Sequence, residues 1–379
     1  MRAIGYFFLL LLFAAQGAAA DKALPEAVRG VWLTNVASDV LYSREGIEEA
    51  VALCDELGIN TIFVVTWNKG MTLYPSDVMA SFTGVAMDPA LDPEGRGRDP
   101  LQEVIDAAHA RGIKVFAWFE FGFSSSHQQG GGEIARIKPH WRALNANGEL
   151  VTKNGFDWLN ALDPEVQQFM SSLVLEVVRN YDIDGVQGDD RLPAMPSEGG
   201  YNPAVVARYS AQHGGALPPG DSKEPGWLAW RAGILNDYAA SLYREVKAID
   251  PQVTVSFAPS VFPWSLEQYL QDWPQWLQAG SVDLLIPQVY RHDLGAYRGT
   301  LEATLAYVPG AAREKFSPGL LIRVGDQMPS QEFFAGMLQA NREAGFLGEV
   351  FFFYEGLHRF RRQIKASYDA QPVRFPDGF

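Results

Sequence analysis

Eight consecutive residues, Asp184-Gly185-Val186-Gln187-Gly188-Asp189-Asp190-Arg191, join a short apolar run to two adjacent carboxylates and a cation. Side chains alternate along an extended strand, so Gln187 and Asp189 share one face and Gly188 and Asp190 the other. Two carboxylates held close repel one another when both are ionised, and one then keeps its proton more tightly. A pair of this kind supplies a general acid beside a base or nucleophile. Asp189 and Asp190 cannot face one reacting centre equally, so a partner is needed. Glu120 and Glu355 are the candidates, because each closes an apolar run: residues 114–120 (KVFAWFE) and 349–355 (EVFFFYE). Asp189 is expected to be the nucleophile or base and Glu120 or Glu355 the acid, with Asp190 and Arg191 in support. Cleavage of a glycosidic bond requires two carboxyl groups flanking that bond, at a shorter spacing for retention and a longer one for inversion.

The elements that must position these groups recur along the chain. Apolar runs at 30–35, 61–67, 114–120, 185–188, 254–260, 283–290, 316–322 and 349–355 alternate with helical patterns such as 45–57, 100–111 and 227–249. Alternating strands and helices imply a parallel sheet of the α/β class. Eight such units predict a single (β/α)₈ TIM barrel over residues 28–368, with a loose tail at 369–379. A doubly wound open sheet fits less well, because no Gly-rich phosphate turn follows the first strand. Long βα loops follow strands two, three and four, and would form one wall of a cleft at the C-terminal end of the barrel, where active sites of this fold sit.

Other strand ends and loops carry groups suited to binding. These are Asn35, Trp67, Asn68, Trp118, Trp158, Asn160, Gln288, Tyr290, Arg291 and Tyr354, beside Arg191. Any strand end leaves the core, so polar residues gather there for that reason alone. Four carboxylates with several aromatics on one rim exceed it. Trp67, Trp118, Trp158 and Tyr290 are expected to stack on sugar rings, since a flat aromatic face matches the apolar C–H face of a pyranose.

Composition narrows the classes. The 379 residues are 47% hydrophobic and 12% aromatic, with a net charge of −14. That charge argues against nucleic acid and anionic membrane surfaces. The single cysteine, Cys54, excludes a disulfide framework and cysteine-based metal sites. The six histidines form neither H-x-H nor H-E-x-x-H, and no G-x-S-x-G turn occurs. No metal or cofactor is therefore expected. Residues 1–20 resemble a secretory leader: Arg2, an apolar run from Ile4 to Ala15, and Ala18-Ala19-Ala20 as cleavage pattern. The mature chain is expected to be exported, to the periplasm or the exterior, with no membrane span after cleavage. Oligomeric state is not legible.

Several motifs together resemble the glycosyl-hydrolase-like 10 family of exported bacterial TIM-barrel proteins. They are Arg29-Gly30-Val31-Trp32-Leu33-Thr34, Ala117-Trp118-Phe119-Glu120-Phe121-Gly122-Phe123, Trp158-Leu159-Asn160 and the stretch from Tyr181 to Arg191, with Tyr269-Leu270-Gln271-Asp272-Trp273 and Pro287-Gln288-Val289-Tyr290-Arg291 further on. The resemblance spans roughly residues 28–356. It implies a glycoside hydrolase acting on a polysaccharide. Some relatives are linked to peptidoglycan glycan strands that have lost their peptides. It also implies that Glu120, Asp189, Asp190 and Glu355 are the functional carboxylates. Gly188 stands where relatives often carry a bulky aromatic, which is expected to widen the pocket. A non-catalytic glycan-binding barrel and a polysaccharide lyase or deacetylase are the other readings; the deacetylase wants a metal site that these histidines do not offer.

Overall fold

The computed structural model describes residues 24–378, so the leader expected over 1–20 lies outside the described residues. Eight parallel strands form one curled sheet: β1 (Gly30–Leu33), β2 (Thr61–Val65), β3 (Lys114–Trp118), β4 (Gly185–Gly188), β5 (Thr254–Phe257), β6 (Leu284–Leu285), β7 (Gly319–Leu321) and β8 (Val350–Phe352). Their spatial order is 6-5-4-3-2-1-8-7, cyclic in chain order. Parallel bridges Leu285↔Phe316 and Gln288↔Gly319 also join the two end strands. β2, TIFVV, is β-branched at four of its five positions and buried at all five, as expected of a strand covered on both faces.

Helices cover the outside. In α1 (Arg44–Leu57), the Ser43 side chain accepts from the Gly46 amide, and Ile47, Ala50, Val51, Leu53, Cys54 and Leu57 form the buried stripe. Gly58 ends it in the left-handed conformation. Asp99 caps α2 (Pro100–His109) and Asp163 caps α3 (Pro164–Asn180), each with proline in the first turn. Among the described residues no helix is long and apolar enough to cross a membrane.

Strand register is set at the N-terminal end by one device used three times. Asn60, Asp184 and Asp283 each precede a strand. Each donates its amide to the carbonyl of Arg29, Val115 or Val255 respectively. Each side chain then accepts that same residue's N–H, at 2.9, 2.8 and 2.9 Å. Lys114 adds a 2.7 Å ion pair to Asp184 and Lys247 one to Asp283. The exchange satisfies an amide at the start of the preceding strand and fixes which residue it faces.

Inside the sheet, Trp32, Phe63, Phe116, Trp118 and Phe352 fill the core with neighbouring ring centroids 4.9–6.3 Å apart. One polar thread crosses it. The Trp32 indole donates to Gln187 Oε1 at 2.7 Å, and Gln187 Nε2 donates to Ser256 Oγ at 2.9 Å.

The structure refines several expectations. Strand pairing stops short of the expected ends, so Asn35, Glu120, Asp189 and Glu355 lie just past the sheet. The connection after β2 contains the Trp67–Asn68/Met71–Thr72 hairpin and a helix, Asp77–Thr83. The connection after β3 contains a three-stranded antiparallel sheet of Ser124–His127, Phe156–Trp158 and Thr152–Lys153. Residues 266–279 are two helices, Trp264–Tyr269 and Trp273–Ala279, because Leu270 turns left-handed between them. The tail is not loose. Arg374 pairs with Glu26 along the backbone, and the Phe375 ring lies 6.2 Å from Phe116.

Asp184→Ala should leave the buried Val115 amide without its acceptor and cost about 1–3 kcal/mol in urea unfolding. Wild-type stability in that variant would show that the staple does not set register.

Candidate active site

Alternation carries the inner layer of the sheet up to its mouth. Trp32, Trp118 and Gln187 occupy the interior, and two residues further on the same strands come Thr34, Glu120 and Asp189. The expected sharing of a face by Gln187 and Asp189 is visible: Gln187 holds the Trp32 indole, and Asp189 Oδ2 accepts the Trp118 indole at 3.2 Å. The two indoles are 6.3 Å apart.

Arg191 gathers the carboxylates. Its Nη2 lies 3.2 Å from Asp189 Oδ2 and 3.7 Å from Glu120 Oε1, and its Nη1 lies 3.2 Å from Asp190 Oδ1. Its Nε donates to the Glu120 carbonyl at 2.8 Å. The guanidinium rests over the Phe156 ring at 4.6 Å, so the antiparallel sheet after β3 supports it from behind. Laid end to end, the two Nη2 contacts separate the Glu120 and Asp189 oxygens by at most about 7 Å, no farther apart than carboxyl pairs that cleave glycosides.

The three carboxylates differ in environment. Asp189 is 2% exposed, and both oxygens are engaged: Oδ1 by the Arg191 amide, Oδ2 by Trp118 and Arg191. Glu120 is 8% exposed; its Oε2 accepts from Asn68 Nδ2 at 2.7 Å and from Thr34 Oγ1 at 3.2 Å. Asp190 keeps 26% of its side chain exposed, and Arg191 is its ion-pair partner. Burial pushes the Glu120 and Asp189 carboxyls above the usual range, Asp189 the further, against the opposing pull of Arg191. Burial would lower Arg191, but the three carboxylates outweigh it and hold the guanidinium charged. One positive charge cannot compensate the three negative ones around it, so the buried Glu120 and Asp189 carboxyls hold their protons more tightly.

Asn68 and Asn35 join the same network, since Asn68 Nδ2 also donates to Asn35 Oδ1 at 2.9 Å. Tyr290 is half-buried beside the cluster; burial, then the charges of Asp190 and Asp189, raise its phenol. Gln288 donates to the Ala258 carbonyl, and Arg291 to the Tyr290 carbonyl. Other expected residues serve the scaffold. Trp67 is fully buried against Phe169, with its indole donating to the Gly122 carbonyl. Trp118 is also buried and orients Asp189, and Trp158 is buried under Tyr269. None of these three presents an open face to a sugar. Asn160 is buried and its Oδ1 accepts the Leu162 amide, which shapes a turn. Tyr354 is buried beside His358 and Cys54, away from the mouth. Glu355 accepts from Ser38 at 2.8 Å in the connection after β1, and among the described residues no ion pair or hydrogen bond joins it to the cluster. Gly188 does not widen a pocket: a Cβ there would meet the Leu192 carbonyl oxygen at 2.3 Å, so the chain folds back into that space.

Sequence reading missed Thr34, Tyr269 and Gln271. Gln271 Nε2 donates to the Asp189 carbonyl at 2.8 Å and ties the connection after β5 to β4. Parity from Trp32 marked Thr34, and Tyr269 and Gln271 stood in a quoted motif; neither lies at a strand end, where candidates were sought. Among the described residues no group of three or more His, Cys, Asp or Glu is placed to hold a metal.

A carboxyl raised by folding contributes stability that is complete below its unfolded pKa and lost as pH climbs through the folded one. Glu120→Gln should therefore gain on wild type in unfolding free energy as pH rises from about 4 to 7. A difference constant across that window would show that Glu120 titrates normally.

The chain is similar to several known proteins. The family model for Glycosyl hydrolase-like 10 matches residues 27–308. Glycosyl hydrolase DigH of Escherichia coli K12 is 28% identical over 294 residues, covering 69% of this chain and 62% of that protein. Glycosyl hydrolase YngK of Bacillus subtilis is 26% identical over 321 residues, covering 76% of this chain and 58% of that protein. The chain thus spans about three fifths of the length of these relatives. In fold it resembles the PgaB (BpsB) glycoside hydrolase domain of Bordetella bronchiseptica, with TM-score 0.66 and 15% identity over 92% of this chain and 99% of that one. It also resembles the catalytic domain of β-amylase from Paenibacillus polymyxa, with TM-score 0.62 and 10% identity over 91% and 99%. With its model matched across most of the described residues, the chain belongs to the Glycosyl hydrolase-like 10 family.

Proposed function

We propose that this protein is an exported glycoside hydrolase that cleaves a polysaccharide by a two-carboxylate mechanism, on a sheet closed as a (β/α)₈ barrel. The observation that carries the reading is the gathering of Glu120, Asp189 and Asp190 on Arg191 at the mouth. Glu120 is the general acid, because burial favours its protonated form and Asn68 and Thr34 fix its orientation. Asp190 is the nucleophile or base, because it is the most exposed of the three. This departs from the sequence expectation for Asp189, whose oxygens are already committed; Asp189 holds Arg191 and the strand end in place. Glu120 protonates the leaving oxygen as the glycosidic bond breaks; either Asp190 bonds to the anomeric carbon and is then displaced by a water that Glu120 deprotonates, or a water that Asp190 deprotonates attacks directly, and in both cases the oxygen of that water ends on the new reducing end. Glu355 contributes at the rim near Ser38 rather than at the bond.

The substrate proposed is the glycan strand of peptidoglycan after its peptides are removed. The family resemblance supports it, as does the leader expected over residues 1–20, which would take the chain to the compartment holding that polymer. A second reading, glycan binding without cleavage, draws on the engagement of all three carboxylates by one cation.

Glu120→Gln and Asp190→Asn should each lower turnover of peptide-free glycan strands about 100-fold or more with near-UV circular dichroism unchanged. Undiminished release of reducing ends by either variant would remove that residue from the mechanism. Tight binding of strands by wild type with no product would favour the second reading.

A further inference from the structure

Nine of the ten tryptophans are buried or partly covered, while Trp264 is 45% exposed. One exposed apolar side chain is ordinary on a protein surface. What distinguishes Trp264 is how firmly it is tied to the carboxylate cluster. It opens the short helix Trp264–Tyr269 in the connection after β5, on the side of the sheet where the carboxylates lie. The next residue, Ser265, is buried and donates to the Gln271 carbonyl at 3.0 Å. Gln271 in turn grips the carbonyls of Asp189 and Pro193, at 2.8 and 3.3 Å. The Met195 and Ser197 amides donate to the Tyr269 and Gln268 carbonyls. Lys153, from the antiparallel sheet after β3, donates to the Gln268 carbonyl and lies 4.9 Å over the Tyr269 ring.

The rings continue the connection. Trp264 and Tyr269 have centroids 5.5 Å apart, and Tyr269 sits near enough to Asp190 for that charge to add to burial in raising its phenol to about 12. An indole with an open face is thus held in fixed relation to the proposed nucleophile. The Trp264 face has the flatness and apolar character that the C–H face of a pyranose requires. Trp67, Trp118 and Trp158, the tryptophans expected to do this, are buried.

Resting on the glycoside hydrolase reading, we propose that Trp264 is the platform for a pyranose ring in a subsite flanking Glu120 and Asp190, so that the substrate is an oligomeric or polymeric glycan rather than a simple glycoside. Binding at this subsite orders the chain across the cleft before cleavage. Its contribution falls on affinity, because the contact it offers is to a neighbouring sugar ring and not to the bond that is cleaved.

The test uses the full chain and peptide-free peptidoglycan glycan strands. Trp264→Ala should raise KM about tenfold with kcat within about twofold, and Trp264→Phe should restore most of the affinity. In a Glu120→Gln background, the strands should shield one tryptophan from acrylamide quenching, and Trp264→Phe should abolish that shielding. Wild-type KM in Trp264→Ala, with quenching unaffected by strands, would overturn the platform while leaving the hydrolase reading intact. Shielding that depends on Trp264, without any cleavage by wild type, would retain the platform and overturn the hydrolase reading. Neither cleavage nor shielding would overturn both.

Discussion

A single guanidinium serves three carboxylates, and the mouth of the sheet is arranged around that shortage of positive charge. Taking charges out of water is costly unless each is paired and hydrogen-bonded. Arg191 reaches Glu120, Asp189 and Asp190 at once but neutralises only one charge's worth. The remainder is met by Trp118 on Asp189 and by Asn68 and Thr34 on Glu120, and by protons that burial holds on the carboxyls. The same shortage that makes the cluster expensive makes it chemically useful, since it keeps an acid protonated beside a carboxylate open to solvent.

The fold divides its labour between the two ends of the strands. At the N-terminal end, Asn60, Asp184 and Asp283 bind the preceding strand's backbone twice over and set register. At the C-terminal end, pairing is released one or two residues before the functional side chains, so loops rather than ladders decide where those side chains go. The close approach of the Arg191 carbonyl to Gly122, where a Cβ would lie 2.1 Å from it, shows how tightly the β3 and β4 connections interlock. The interior of the curled sheet sits between these ends as an aromatic plug, with Gln187 linking it to the layer that carries Asp189.

Much of this was legible in the residues. The alternation of apolar runs and helical patterns predicted eight parallel strands, and parity along 187–190 predicted that Gln187 and Asp189 would share a face. The family resemblance, too, was carried by short motifs. What pattern could not show was depth. Glu120 and Glu355 look alike in sequence, each ending an apolar run. Glu120 continues the inward face of β3, whereas the chain after β8 turns into a 3₁₀ helix at Tyr354–Gly356 and carries Glu355 to the rim. A tryptophan's place at a strand end or in a loop does not set its exposure, which depends on what lies over the ring: Phe169 on Trp67, Tyr269 on Trp158. Nothing in the sequence marks Trp264, which lies past the apolar run at 254–260 and outside the motifs that carry the resemblance. Gly188 was read as an opening because the return of Leu192 across it is a tertiary fact.

Membership of the Glycosyl hydrolase-like 10 family and the fold shared with glycoside hydrolases agree with this chemistry, while the reaction itself is decided by its products. The most direct measurement is mass spectrometry of the products formed from peptide-free glycan strands in heavy-oxygen water. The two-carboxylate account predicts that every new reducing end carries one solvent oxygen and that Glu120→Gln suppresses their appearance. Unlabelled, unsaturated products, or intact strands after prolonged incubation with the folded wild-type protein, would contradict it.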